Sequence, residues 1–264
     1  MKCFGSAVYS LWSREVLRFY RQPSRVVGAL ASPLLFWILI GCGIGNSFRA
    51  EGAQGNSSYL EYFFPGTLLL ILLFTSIFST ISLIEDRREG FLQSVLVAPV
   101  SRASIVLGKV LGGATLAFIQ GSLFLCVFPW LGITLSLSQI LLVLIILFIN
   151  SIAMTTLGFI FAWRMQSTQG FHAIMNLLLM PLWLLSGALF PAEDSPAWLA
   201  FAMRCNPLSY GLAALRKSIY RDEMLLKSIP ELSQSLPVIC LFTAALFVIA
   251  VLIASQRRVE DLPA

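Results

Sequence analysis

The most informative pattern in the sequence is the alternation of long apolar runs with short charged segments. Four stretches, 26–48, 62–84, 110–163 and 232–256, contain no Asp, Glu, Lys, Arg or His. A transmembrane helix needs about 20 mostly apolar residues, and a charge at its centre costs about 2.5–3.5 kcal/mol. The pattern therefore predicts an all-α membrane protein whose uncharged stretches cross the bilayer.

Turn residues and charges divide these stretches into separate helices. Pro129-Trp130-Leu131-Gly132 interrupts the longest one, and Phe64-Pro65-Gly66 opens the second, where the first helical turn tolerates a proline. We predict one transmembrane domain over residues 26–256. It contains six transmembrane helices, at about 26–45, 62–84, 104–127, 138–163, 171–189 and 236–254.

Composition supports this class and argues against others. Hydrophobic residues make up 58% of the 264 residues and charged residues only 12%, whereas a soluble domain has roughly 25% charged residues. The net charge of +5 comes from basic residues at the ends of apolar runs, so it predicts orientation beside a membrane rather than nucleic-acid binding. The five cysteines show no paired spacing and are expected to pack as small apolar residues.

Residues 1–25 are predicted to form an amphipathic interfacial helix. Phe4, Val8, Leu11 and Trp12 recur at helical spacing, and the opposite side carries basic residues such as Arg14. Such a helix can lie in the headgroup region with its basic face toward anionic lipid. Packing against other protein explains the pattern equally well.

The positions of Lys and Arg predict the orientation. The N-terminal segment carries five of them and the 85–109 connection four, whereas the opposite side has Arg49 in its first loop and no charge in its second. Short cytoplasmic loops are enriched in Lys and Arg. The five basic residues of 190–235 oppose this rule, but longer segments obey it poorly. We therefore expect a multi-pass protein of the cell inner membrane with both termini in the cytoplasm.

The connection between the second and third predicted spans is the first candidate functional segment. The segment 85–102 is too long for a simple turn, and a run of charged residues precedes an apolar face that includes Phe91 and Leu92. Pro99 is expected to end the short helix. A short amphipathic helix of this kind suits docking in a groove of a soluble partner. A charged interfacial loop without a partner fits the periodicity equally well.

A second candidate segment follows the fifth predicted span. Between Leu185 and Arg216, apolar pieces too short to cross the bilayer alternate with Pro, Gly and charged residues. Short pieces of this kind predict re-entrant or interfacial helices on the outer face. An ordinary outer loop with two surface helices is the alternative.

The sequence lacks the residues that several kinds of binding site or catalytic site require. Gly108-Lys109 is not part of a phosphate-binding loop, because Val110 follows and no glycine stands five positions earlier. His172 is the only histidine, and without a second histidine or paired cysteines the sequence predicts no metal site. We predict no catalytic residue and no bound cofactor. If the protein moves a molecule uphill, the energy has to come from another chain.

A series of short motifs follows the same order along the chain: Pro65-Gly66, Glu85-x-Arg87-x-x-Gly90, Ala98-Pro99-x-Ser101-Arg102, Gly108-Lys109, Ser186-Gly187-x-x-Phe190-Pro191, Asn206-Pro207-Leu208-x-Tyr210 and Leu215-Arg216. The order and spacing of these motifs resemble the ABC-2 permease family, the membrane subunits of type 2 ABC exporters, over about residues 10–258. The general pattern looks most similar to the daunorubicin- and multidrug-type branch, and polysaccharide, lipo-oligosaccharide and lipid exporters share the motifs.

The resemblance implies a role for each candidate segment. Residues 86–98 would form a coupling helix in a cleft of a separate ATP-binding subunit, and 190–216 would form outer re-entrant helices. The implied coupling residues are Glu85, Arg87, Arg88, Glu89, Gly90, Phe91, Leu92, Pro99 and Arg102. The implied outer gate consists of Gly187, Phe190, Pro191, Asn206, Pro207 and Tyr210.

The function implied is that of an ATP-driven exporter with a hydrophobic or amphipathic substrate, such as a drug-like molecule, lipid or glycoconjugate. Two permease copies, expected to be identical, would work with two ATP-binding subunits that hold ATP and Mg. In that scheme Arg87, Arg88 and Glu89 contact the partner, while Phe91 and Leu92 fill its cleft. The alternatives are an ATP-independent carrier, an intramembrane enzyme, or a scaffold that recruits soluble proteins through 85–102.

Overall fold

The computed structural model describes residues 2–44, 59–189, 195–220 and 230–256, and every regular element among them is a helix. A 3₁₀ turn, Phe128–Leu131, follows the fifth helix. The ten α-helices are α1 Lys2–Tyr20, α2 Pro23–Ile44, α3 Tyr59–Arg88, α4 Phe91–Val97, α5 Arg102–Leu125, α6 Leu137–Arg164, α7 Thr168–Leu184, α8 Ala197–Cys205, α9 Pro207–Ile219 and α10 Leu232–Ser255.

Five of these helices, α2, α3, α5, α6 and α10, are long and apolar enough to cross a membrane. Each overlaps a predicted span and differs from it by a few residues at the ends. The predicted fifth span corresponds to α7, which has only 17 residues. The structure therefore supports five of the six crossings by length and composition, and a crossing by α7 stays a prediction.

Helix α3 is the centre of the bundle. It contacts α2, α5, α6, α7 and α9, and most of its residues are buried. By contrast, α2 and α10 expose most of their apolar side chains, which include Leu39 and Leu241. In water this exposure would be costly, so the pattern fits a bundle surrounded by lipid.

Small residues allow α5 and α6 to approach α3 closely. A Cβ added at Gly113 would lie 2.5 Å from Ser79 Oγ and 2.6 Å from Thr155 Cγ2. Ser76 and Thr155 hydroxyls are 3.1 Å apart across the α3–α6 contact. Small residues and shared hydroxyl groups are the usual means of helix association in membranes, where apolar burial alone provides little driving force.

Helix α1 packs along α5, which supports the second interpretation of the N-terminal segment, packing against protein. The Trp12 indole donates to Thr115 Oγ1 at 3.1 Å, and an added Cβ at Gly108 would lie 2.8 Å from Leu11 Cβ. One side of α1 is therefore committed to α5. Its exposed side, which includes Tyr9 and Leu17, is free for a lipid surface.

Replacing Gly113 with valine is expected to destabilise the bundle, because the new side chain would overlap Ser79 and Thr155. Overpacking of a tight interior costs about 1–3 kcal/mol. Thermal unfolding in detergent measures the change. Gly43→Val is the matched control, since no atom lies within 4 Å of a Cβ added there. Equal melting temperatures for the two variants would contradict this packing.

Candidate functional site

The two candidate segments lie at opposite ends of α3. Helix α4 follows Arg88, the last residue of α3, whereas the segment after α7 accepts hydrogen bonds from Tyr59 and Tyr62 at the beginning of α3. Within α7, the Trp183 indole donates to the Gly66 carbonyl of α3 at 2.9 Å. We call the end of α3 next to α4 the charged end, and we call residues 185–189, which follow α7, the corner.

Helix α4 is shorter than expected because of a glycine and a proline. Gly90 has φ 76°, a left-handed conformation that separates α3 from α4. Ala98 is extended, with φ −66° and ψ 152°, as is usual for a residue before a proline. Residues 86–88, which we placed in the short helix, belong to α3, and this corrects the expected boundary of 86–98.

Five charged side chains from three helices meet beside α4, and we call them the charged cluster: Arg14, Glu15, Arg18, Asp86 and Lys109. Asp86 is fully buried, and Glu15 and Lys109 are 4% and 6% exposed. Lys109 Nζ donates to both carboxylates. Arg14 Nη1 lies 2.7 and 2.8 Å from the two Asp86 oxygens, and Arg18 Nη1 lies 2.6 Å from Oδ1.

The charged cluster joins α1, α3 and α5 through ionic contacts that water screens poorly. Ser82 also donates to Glu15, so the second carboxylate is held as well. A buried charge is tolerated only when it is paired and hydrogen-bonded. The position of α1 relative to α3 and α5 is therefore fixed by charge neutralisation as well as by packing.

Helix α4 is attached to the charged cluster. The Arg14 guanidinium lies 3.6 Å from the centroid of the Phe91 ring. Arg18 Nη2 lies 3.0 Å from carboxylate oxygens of Glu85 and Glu89. Burial alone would lower the pKa of Arg18, but Asp86 and these carboxylates raise it above its usual value. Both arginines therefore tie α1 to α4 and to the residues just before it.

The implied coupling residues divide into inward and outward groups. Arg87 donates to the Met165 carbonyl at 2.9 Å and Arg88 Nε to the Gln166 carbonyl at 3.0 Å, so both secure the end of α6. Leu92 is 2% exposed and contacts the chain's own core. Leu92 is therefore not on the surface that α4 offers to a partner, which corrects that part of the expectation.

The outward surface of this end consists of other side chains. Glu89 is 58% exposed, and Val97 is 76% exposed at the last residue of α4. Gln93, Ser94 and Pro99 are also exposed, whereas Arg102, the first residue of α5, is half-buried. The available contact surface is therefore a polar edge with one exposed valine.

At the opposite end, α8 and α9 are present as two helices of 9 and 13 residues, both too short to cross a bilayer. Asn206 caps α9 by accepting from the Leu208 amide at 3.0 Å, and its side-chain amide donates to the Leu182 carbonyl at 2.6 Å. Pro207 occupies the first turn, where no amide donor is needed. Tyr210 Oη donates to the Arg204 carbonyl at 3.1 Å.

Tyrosine hydroxyls hold the corner against the beginning of α3. Gly187 has φ 85°, and its carbonyl accepts from Tyr62 Oη at 3.2 Å. Tyr59 Oη donates to the Leu189 carbonyl at 2.9 Å. Tyr220 Oη donates to the Glu61 carbonyl, and burial raises the pKa of this phenol. Gly187, Asn206, Pro207 and Tyr210 thus occupy one region, whereas Phe190 and Pro191 lie outside the described residues.

Sequence reasoning missed the partners that complete the charged cluster. Glu15 is an acid in an otherwise basic and apolar helix, and Lys109 is a lone charge seven positions into α5. An isolated charge inside an apolar helix normally has a buried partner, so both positions carried a signal. The sequence alone does not show that Glu15 and Asp86 share Lys109.

Replacing Lys109 with methionine should destabilise the protein strongly, because Glu15 and Asp86 would lose their shared buried cation. Breaking a buried ion pair costs about 3–5 kcal/mol. Lys217→Met is the matched control, since Lys217 pairs with Glu231, which is 69% exposed, and such pairs contribute about 0–1 kcal/mol. Thermal unfolding in detergent should separate the two variants, and equal losses would contradict the assigned role of the charged cluster.

Comparison with known proteins places this architecture in a family. The sequence model described as ABC-2 type transporter matches residues 6–220. The chain is 32% identical over 216 residues to the transport permease ycf38 of Cyanophora paradoxa, which covers 81% of this chain and 74% of the relative.

Two other relatives carry more specific names. Nodulation protein J of Rhizobium leguminosarum bv. trifolii is 26% identical over 251 residues, 94% of this chain and 92% of the relative. The doxorubicin resistance ABC transporter permease protein DrrC of Mycobacterium tuberculosis is 25% identical over 209 residues, 77% of this chain and 73% of the relative. The family match covers most of the chain and confirms the resemblance seen in the sequence: this membrane protein belongs to the ABC-2 type transporter family.

Proposed function

We propose that this chain is the membrane subunit of an ATP-driven exporter that moves an amphipathic or hydrophobic molecule across the cell inner membrane. A separate ATP-binding subunit, which holds ATP and Mg, would dock on the surface of α4. Two copies of each subunit would form the transporter, with both termini and the charged end in the cytoplasm. The relatives named as transport permeases, among them the doxorubicin resistance permease DrrC, support a transport role in which this chain itself catalyses no reaction.

The single observation that carries this proposal is the attachment of a short exposed helix to the charged cluster. Helix α4 presents Gln93, Ser94 and Val97 outward, while Leu92 is buried beneath it. Arg14 contacts Phe91, and Asp86 at the end of α3 binds Arg14 and Arg18. A force applied to α4 would therefore reach α1, α3 and α5 together rather than bend a loose loop.

The proposed mechanism is mechanical. Closure of the ATP-binding subunits would push on α4 and tilt the helices attached to it. The pathway would open between two permease copies, and the corner with α8 and α9 would close its outer exit. Among the described residues the interior between the two ends offers hydroxyl and amide groups but no ionised side chain, which suits a substrate that is largely apolar.

Substituting Val97 with aspartate tests the docking surface. Because Val97 is 76% exposed, the change leaves the core intact but places a charge at the proposed contact. We expect affinity for the ATP-binding subunit to fall about tenfold or more, as for loss of a central interface contact. Co-purification and substrate-stimulated ATPase activity report the change.

The matched control for this experiment is Leu137→Asp. Leu137 is 73% exposed and lies at the beginning of α6, at the opposite end of the bundle. It should keep the ATP-binding subunit. If Val97→Asp also retained the partner at full affinity, α4 would not be the docking surface. Transport that survives ATP depletion and stops with an uncoupler would favour the ATP-independent carrier instead.

The side of the membrane on which α4 lies supplies a second test. In a background lacking the five native cysteines, we expect Glu89→Cys to react with a membrane-impermeant thiol reagent only after the cells are opened. Trp130→Cys, at a residue that is 90% exposed at the other end, should react in intact cells once the outer barrier is permeable. The reverse pattern would place α4 outside, where no cytoplasmic ATPase can reach it.

A further inference from the structure

Arg216 is a buried cation that the export mechanism above does not use. It lies in the last turn of α9 and is only 6% exposed. Arg216 Nη2 donates to the Gly187 carbonyl at 2.8 Å, and the guanidinium lies 4.2 Å from the centroid of the Tyr62 ring. Both contacts are with neutral groups.

One buried N–H group of Arg216 has no acceptor in the part of the chain that the structure describes. Its Nε is buried without an acceptor, and none of the ion pairs formed by described residues includes it. A guanidinium has five N–H donors in a planar fork, and a buried donor without a partner costs free energy. The site is therefore electrostatically incomplete.

The two ends of the bundle treat buried cations differently. At the charged end, Lys109 and Arg18 each contact carboxylates, with Asp86 shared between them. At the corner, the contacts of Arg216 with described residues are to a carbonyl dipole and an aromatic ring. An ionisable residue of this kind within a membrane protein is a candidate functional site.

The chemistry of the missing partner follows from the guanidinium. Phosphate and carboxylate groups accept two parallel N–H bonds from arginine, and such charge-assisted bonds are about twice as strong as neutral ones. An oxyanion would therefore compete effectively with the Gly187 carbonyl. The exposed aromatic side chains of α8, Trp198 and Phe201, are typical of the boundary between lipid and water, where phosphate groups are concentrated.

We propose that Arg216 binds an oxyanion carried by an amphipathic molecule, a phosphate or carboxylate that displaces the Gly187 carbonyl as the corner opens. In the closed arrangement, the carbonyl and the Tyr62 ring occupy the site. Binding of the oxyanion would release α9 from the corner and favour the open arrangement. This inference goes beyond the proposed function, since it concerns ligand charge at the corner and does not depend on how α4 is driven.

The test is a binding comparison on the purified full-length protein in detergent. The probes are short-chain phosphatidylglycerol, which is anionic, and phosphatidylcholine with the same acyl chains, and intrinsic tryptophan fluorescence reports binding. We expect phosphatidylglycerol to bind about tenfold more tightly, the difference that one hydrogen bond to a charged group provides. In Arg216→Gln this preference should disappear.

Two further variants act as controls. Arg204→Gln removes an exposed arginine from the adjacent helix α8 and should retain the preference, which excludes a general effect of net charge. Arg216→Lys keeps the charge without the planar fork and should give an intermediate preference. Circular dichroism and gel filtration establish that each variant is folded.

Competition with inorganic phosphate distinguishes the two sources of the oxyanion. Displacement of phosphatidylglycerol by inorganic phosphate would show that the headgroup alone is recognised, and lack of displacement would show that the acyl chains are also required; either result supports the site. Equal binding of both lipids to the unaltered protein would overturn the proposal. So would an unchanged preference in Arg216→Gln.

Discussion

The interaction on which the structure depends most is the sharing of Lys109 between the buried carboxylates of Glu15 and Asp86. These three residues come from α5, α1 and α3, and each would be unstable in its position without the others. Arg14 and Arg18 extend the same interaction to the surface of α4. The position of a seven-residue helix, which could not be stable alone, is thus determined by ionic contacts beneath it.

The other contacts of the bundle connect the charged cluster with the corner at the opposite end. Helix α3 runs from the charged cluster to the corner, and closely packed small residues such as Gly113 hold α5 against it. At its far end the contacts include hydrogen bonds from Trp183 to Gly66 and from tyrosine hydroxyls to the corner, and the Arg216 guanidinium lies 4.2 Å from the centroid of the Tyr62 ring. A charged end held by buried ion pairs and a corner held by hydrogen bonds to backbone carbonyls are compatible with the mechanism proposed above, in which α3 is pushed at one end and the pathway opens at the other.

Much of this architecture could be predicted from the sequence, because lipid imposes a simple rule on charge. The uncharged runs located the helices to within a few residues, and Pro99 located the end of α4. The short helices α8 and α9 also followed from apolar pieces that are too short to cross. The length of α7 could not be predicted in this way, because residues 185–189 continue the apolar pattern although they form the corner.

The details of the candidate site were less predictable, because they depend on which helix faces which. Periodicity placed Phe91 and Leu92 on one face of α4, but it did not show that this face turns toward the chain itself. Arg87 and Arg88 had the appearance of solvent-exposed charges, yet both bind backbone carbonyls after α6. Tertiary contacts of this kind leave no local pattern in a single sequence.

We infer that α1 and α4 move as one body because the charged cluster joins them. Spin labels at Leu17 and Gln93, both exposed, measure the separation of these helices directly in the assembled transporter. We expect the distance distribution between the two labels to be the same in the nucleotide-free and ATP-bound states. A shift or broadening of that distribution on ATP binding would contradict this inference.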